Sequence, residues 1–179
     1  NVANRDAHVR TTGPEIWEQT GGRIDAFVAA SGTGGTVAGV SEYLKSRRAA
    51  IRTVLADPPG SALYEYIRHG VVKATGTGSI TEGIGLGRVT PIIEDIKVDK
   101  AYLIEDSEAV PIIFDLMQHE GLCVGGSSGI NVAGAIRLAR ELGHHRPRRF
   151  QRRRRDRPVL LRRRRRDRGV LLHQSGKHL

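Results

Sequence analysis

The sequence has 179 residues, about one domain's worth of chain, with 39% hydrophobic and 27% charged residues. This composition excludes a membrane protein and a fully disordered chain, since no apolar run approaches the roughly 18 residues of a spanning helix and the N-terminus lacks a signal-peptide pattern. The net charge of +10 divides unevenly: from residue 144 onward fourteen Arg and one Lys face two Asp (+13), whereas residues 1–143 hold fourteen basic and seventeen acidic groups (−3). A single cysteine, Cys123, excludes a disulfide framework and suits a reducing cytosol, so the expected location is cytoplasmic.

Residues 24–30 form a short apolar run compatible with a buried strand. The run ends in Gly32, Thr33, Gly34, Gly35 and Thr36, and Val37, Val40 and Leu44 then recur at helical spacing through Arg48. A second strand is expected over residues 51–56, a turn over 57–60, and a helix over 61–69 closed by Gly70. A third strand falls at 101–104. A helix capped by Asp106 or Ser107 follows and runs to His119, with Pro111 near its first turn and Gly121 behind it. Leu122, Cys123 and Val124 read as a fourth strand, with Cys123 a buried, inert thiol, and a helix is expected from about Asn131 to Leu142. Trp17 is expected on one side of an amphipathic N-terminal helix. Alternating strands and helices argue an α/β fold with a mostly parallel sheet flanked by helices.

The pattern stops after Gly143. Residues 151–161 are nearly echoed by residues 162–172, with dense arginine throughout. Low complexity and self-repulsion predict a disordered tail over 144–179, separate from a folded body over 1–143. Its electrostatics suit non-specific nucleic-acid binding, and the scarcity of aromatic residues argues against base readout.

Two glycine-rich turns, at residues 32–36 and 125–129, follow strand candidates and open helices. Such turns aim several backbone N–H groups at one point, where the positive end of the helix favours an anion, and a phosphate is the natural guest. The spacing matches neither a P-loop nor the dinucleotide fingerprint. A strand-to-helix turn with no ligand is the plainer reading of either loop alone. The other conspicuous residues read as structural: Asp57 as a turn or cap residue, His69 as a helix-end residue, and His8, His119, His144 and His145 as histidines without metal-ligand spacing, so no metal is expected.

In its flanks the first loop becomes more specific. Residues 4–36, containing Arg10-Thr11-Thr12-Gly13-Pro14-Glu15-Ile16-Trp17 and then the 32–36 loop, resemble the cysteine synthase (O-acetylserine sulfhydrylase) family. Glu82-Gly83-Ile84-Gly85 and the 120–129 segment resemble two later motifs of that family in the same order. The resemblance covers residues 1–143 and implies the C-terminal part of a fold like the tryptophan synthase β-subunit, with pyridoxal 5′-phosphate as cofactor. It implies that Gly32, Thr33, Gly34, Gly35 and Thr36 cradle the cofactor phosphate. Ser127 would face the pyridine nitrogen, its plainer alternative being a helix N-cap, and Gly83 and Gly85 would line the substrate side, their plainer alternative being a tight turn. The implied reaction replaces the acetate of O-acetylserine by sulfide to give L-cysteine. Cystathionine β-synthase chemistry is the enzymatic alternative, and an inert truncated product the non-enzymatic one. A homodimer and an association with serine acetyltransferase are the partners it implies. The family's Schiff-base lysine belongs to a preceding portion, and none of Lys45, Lys73, Lys97 and Lys100 lies in its motif. The sequence therefore assigns no catalytic residue and predicts little activity for this stretch alone. The change after Gly143 reads as a shifted reading frame or a gene-modelling artefact.

Overall fold

The computed structural model describes residues 2–74, 78–93 and 95–143. Three strands, β1 (Ala26–Ala29), β2 (Arg52–Asp57) and β3 (Lys100–Leu103), pair in the order β1-β2-β3, and both pairings are parallel. The register sets Ala26 beside Arg52 and Val54 beside Lys100. Parallel neighbours require crossovers. The first is α3 (Gly35–Arg47); the second contains α4 (Ala62–His69) and a 3-10 turn at Pro91–Ile93. Ahead of β1 lie α1 (Ala3–Arg10) and α2 (Thr12–Gln19); after β3 come α5 (Asp106–Glu120) and α6 (Gly126–Glu141).

The central strand shows how the sheet is covered. Residues 53–57 of β2 are all buried, so both faces carry helices. Val54 and Ala56 point to one side, where Ala109 of α5 and Ile130, Ala133 and Leu138 of α6 close over them. Leu55 points the other way, onto Ala38 of α3, Leu63 of α4 and Ile92 and Ile93. A third cluster, Val40, Leu44 and Ile51, is sealed by Ile16, Trp17, Phe27 and Tyr43, and Arg47 lies over the Trp17 ring. Trp17 thus packs as its helical face predicts. Leu44 and Ile51 are fully buried, each contributing about 1.5–3 kcal/mol by removal from water. Gly134 brings α6 onto the sheet: a Cβ there would lie 2.6 Å from that of Ala56.

Three strands and their helices fall where the apolar runs place them; four details differ. Residues 122–124 form no strand. Their segment is irregular, Leu122 is 51% exposed, and Cys123 is exposed rather than buried. Three apolar residues between Gly121 and Gly125 are indistinguishable by pattern from a short strand. The α6 helix starts at Gly126, five residues earlier than its apolar period, because Gly125 serves as its N-cap. Glu105, not Asp106 or Ser107, is the N-cap of α5. Asp106 is spent on the preceding loop instead, where its Oδ1 accepts from Ser79 Oγ (2.5 Å) and its Oδ2 from Ile80 N–H (2.9 Å). Pro111 is the sixth residue of α5, in its second turn, and having no N–H it cannot donate to the Ser107 carbonyl. The α4 helix ends as read, with Ser61 Oγ accepting from Tyr64 N–H (3.2 Å) and Gly70 in the left-handed region (φ 70°). The arginine-rich tail expected at 144–179 lies outside the described residues.

Candidate functional site

In an open parallel sheet the loops at the carboxyl ends of the strands gather on one edge, where ligands bind. Three glycine-containing segments meet on that edge. The 31–36 loop leaves β1. The 79–85 segment touches it: a Cβ on Gly32 would lie 2.7 Å from the Gly83 carbonyl oxygen, and Gly85 N–H donates to the Ser31 carbonyl (2.9 Å). The start of α6 touches the far end of the same segment, since a Cβ on Gly126 would lie 2.7 Å from Thr81 Oγ1.

The 31–36 loop is held by buried polar groups. Asp57 at the end of β2 is fully buried; its Oδ1 accepts from Ser31 N–H (2.7 Å) and its Oδ2 from Ser61 Oγ (2.6 Å). Burial pushes its carboxyl up from 3.8 to about 6, although the bonds from Ser61 and Ser31 pull the other way. Asn131 of α6 makes a second tie, accepting from Ala30 N–H (2.7 Å) and donating to the Ser127 carbonyl (2.8 Å). Thr90 Oγ1 donates to the Thr33 carbonyl (3.2 Å). Gly34 is the N-cap of α3 in the left-handed region (φ 93°), and a Cβ there would meet Ile93 Cγ2 at 2.4 Å, so only glycine fits.

This geometry leaves donors free. No side chain caps α3, and the first helical bond is Ala38 N–H to the Gly34 carbonyl. The N–H groups of Gly35, Thr36 and Val37 therefore find no acceptor among the described residues, although Gly35 and Val37 are buried. The hydroxyl-bearing residues Thr33 and Thr36 are exposed beside them. Orphan amides, two hydroxyls and the positive helix end form a site whose chemistry fits a phosphate. The α6 start is built alike: Gly125 makes no side-chain cap bond, and Ser127 lies inside the first turn rather than at the N-cap. Ser127 is thus not the cap that its plainer reading supposed.

The glycines of the 82–85 motif differ. A Cβ on Gly83 (φ 80°) would meet nothing within 4 Å, so that position opens onto free space; a Cβ on Gly85 (φ 70°) would strike Pro58 Cγ at 2.6 Å, so its missing side chain faces Pro58. Two lysines lie away from this edge. Lys45 Nζ donates to Asp99 (2.8 Å) and to the Ile51 carbonyl, and Lys100 pairs with Glu141 (2.8 Å), both at the amino ends of the strands. Among the described residues no three His, Cys, Asp or Glu groups gather as a metal site, and no helix is long and apolar enough to cross a membrane.

Residues 1–149 match the family described as pyridoxal-phosphate dependent enzyme. The chain belongs to that family. Among its relatives are cysteine synthase 2 of Schizosaccharomyces pombe, 47% identical over 155 residues (80% of this chain, 39% of the relative), and cysteine synthase A of Escherichia coli, 39% identical over 140 residues (77% and 43%). A solved structure, the O-acetylserine dependent cystathionine beta-synthase from Helicobacter pylori, superposes with a TM-score of 0.70 at 35% identity, covering 80% of this chain and 44% of that one. The chain thus spans about two fifths of the length of the curated relatives it matches. The parallel sheet flanked by helices is the fold class that the resemblance implied, and it superposes on that solved structure.

Sequence reasoning missed three supports of the loop. Asn4 and His8 lie four residues apart on α1, and their side chains reach Thr33 and Thr36; Asn131 bridges β1 and α6. The i,i+4 spacing of Asn4 and His8 marks one helix face. Nothing in the sequence says what that face meets.

Proposed function

We propose that this chain carries the phosphate-binding half of a pyridoxal-phosphate site in an enzyme of the cysteine synthase type, which replaces the acetate of O-acetylserine by sulfide. The observation that carries the reading is the set of amides at Gly35, Thr36 and Val37 that find no acceptor among the described residues, beside the left-handed Gly34. Gly32, Thr33, Gly34, Gly35 and Thr36 would hold the phosphate through backbone N–H groups and two hydroxyls. Asp57 and Asn131 would keep that loop in shape without touching the cofactor. When bound, the cofactor would draw electrons from the substrate's α-carbon and so favour loss of a β-leaving group. Ser127 would face the ring nitrogen as a neutral hydroxyl. A carboxylate there would hold the nitrogen protonated, deepen the electron sink and favour longer-lived carbanion chemistry; a hydroxyl suits elimination. Gly83, which opens onto free space, would admit substrate, and Gly85 would hold its loop against Ser31 and Pro58. Cystathionine β-synthase chemistry is the second reading, favoured by the solved structure that superposes on this chain. A chain whose one cysteine is exposed fits a reducing compartment, and the proposal places it in the cytoplasm.

Pyridoxine 5′-phosphate tests the reading, because it carries the phosphate but no aldehyde to react with lysines. The chain should bind it more tightly than pyridoxine. Gly34→Ala should weaken binding about tenfold or more, since left-handed backbone costs a non-glycine residue about 1–2 kcal/mol and the new Cβ strikes Ile93. Equal affinity for the two compounds, or an unchanged Gly34→Ala variant, would remove the basis of the proposal.

A further inference from the structure

Both hydroxyls of the 32–36 loop are met by one face of α1. Asn4 Nδ2 donates to Thr33 Oγ1 (3.3 Å), and one turn on, His8 Nε2 lies 3.0 Å from Thr36 Oγ1. The other ring nitrogen of His8, Nδ1, lies 2.9 Å from Thr12 Oγ1 at the start of α2. The depth of this face is fixed by backbone: a Cβ on Gly39 of α3 would lie 2.4 Å from the Arg5 carbonyl oxygen and 2.7 Å from His8 Cβ, and a Cβ on Gly35 would overlap the Asn4 amide. Arg5 Nε donates to Glu42 of α3 (2.8 Å), one turn beyond Gly39. The α1 helix is thus seated on α3 in one register, with His8 half-buried against Thr36.

A threonine hydroxyl has one proton, and its direction decides what the loop offers an anion. If His8 Nε2 is an acceptor, Thr36 gives that proton to the ring and turns lone pairs toward the loop, which repels a phosphate. If Nε2 carries the hydrogen, it donates to Thr36 Oγ1 and the Thr36 proton is free to donate to the phosphate. The second arrangement is complete at its other end, because Thr12 Oγ1 can donate to the bare Nδ1. We propose that His8 is a positioning residue for the phosphate loop: as the Nε2–H tautomer it donates to Thr36 Oγ1 and aims the Thr36 hydroxyl proton at the bound phosphate. Asn4 does the same for Thr33, its amide donating to the hydroxyl and leaving that proton free. The inference rests on the reading of the 32–36 loop as a phosphate site. It adds that α1, which contributes no group to the phosphate itself, sets the polarity of the two hydroxyls.

Two substitutions separate positioning from mere packing. His8→Gln places an amide near the position of Nε2 and keeps a donor for Thr36; His8→Asn reaches only the position of Nδ1. With pyridoxine 5′-phosphate as probe and the full chain as protein, His8→Gln should bind within about twofold of the parent. His8→Asn and the reference variant Thr36→Val should each bind about tenfold more weakly, as expected for loss of one hydrogen bond to a charged group. Histidine ¹⁵N shifts of the unsubstituted chain give a readout that does not depend on variants folding: saturation with the probe should leave His8 as the Nε2–H tautomer. Equal losses for His8→Gln and His8→Asn, or a bound Nδ1–H tautomer, would overturn the role of His8 while a weakened Thr36→Val upheld the loop. An unchanged Thr36→Val would overturn the loop reading itself, and this inference with it.

Discussion

Asp57→Asn exposes the energetics beneath the candidate site. The carboxyl is fully buried at the end of β2 and accepts two hydrogen bonds, and burial raises its pKa from 3.8 to about 6. Its proton is therefore held more tightly in the folded chain than in the unfolded one. Well below pH 3.8 both states keep the proton and the stabilising contribution is fully present. As pH rises, the unfolded chain ionises first, so this contribution falls and is gone once pH passes about 6. A rise of this size is worth about 3 kcal/mol in full, of which about 2 kcal/mol falls between pH 4 and pH 7. Asparagine keeps the shape and can still accept from Ser31 N–H, but it does not titrate. The stability of Asp57→Asn minus that of the parent should therefore rise by about 2 kcal/mol from pH 4 to pH 7. Urea unfolding of both proteins at half-unit pH steps measures the difference and cancels the titration of every other group. A difference that stays flat, or that falls with pH, would refute the reading of Asp57 as a carboxyl whose burial outweighs its two donors.

Asp99 should show the opposite sign. Burial pushes its carboxyl up, but donors from Lys45 and Thr53 outweigh that and hold it below its usual range. Its stabilisation should be present at neutral pH and lost as pH falls through its folded value, so Asp99→Asn should cost about 1 kcal/mol at pH 7, allowing for partial exposure, and less near pH 3. Urea unfolding at the two pH values would detect a reversed order. Gly134→Val should destabilise by about 1–3 kcal/mol through overpacking, because its new side chain drives into Ala56 and Val28, and thermal unfolding of this variant should show a lower midpoint.

The elements that carry their own punctuation were legible in the sequence. The α4 helix is expected over 61–69 with Gly70 closing it, and the structure keeps that end while making Ser61 the N-cap before Ala62. The 24–30 and 51–56 runs read as strands because consecutive apolar residues fill 26–30 and 54–56, as parallel strands covered on both faces require. Leu122 to Val124 carries the same signal over three residues but pairs with no strand among the described residues. Asp106 looked like a cap because its residue type suits one; the structure assigns it to Ser79 and Ile80, a choice settled by tertiary contact rather than by local preference. The candidate site divides in the same way. Its glycines are visible because unusual backbone demands them, as at Gly34. Its supports, Asp57, Asn131, Asn4 and His8, are ordinary polar residues whose role depends on what the fold sets opposite them, from 26 residues away for Asp57 and Ser31 to 101 for Asn131 and Ala30.

The central claim is that the amides opening α3 receive a phosphate, and amide chemical shifts test it most directly. The ¹⁵N-labelled chain is titrated with pyridoxine 5′-phosphate, with pyridoxine as the control. The account predicts that the largest saturable shifts fall on Gly34, Gly35, Thr36 and Val37, with smaller ones at Ser127 and Gly83 and none at Lys45 or Lys100 on the opposite edge of the sheet. Shifts confined to the arginine-rich residues beyond 143, or equal shifts with pyridoxine, would contradict it.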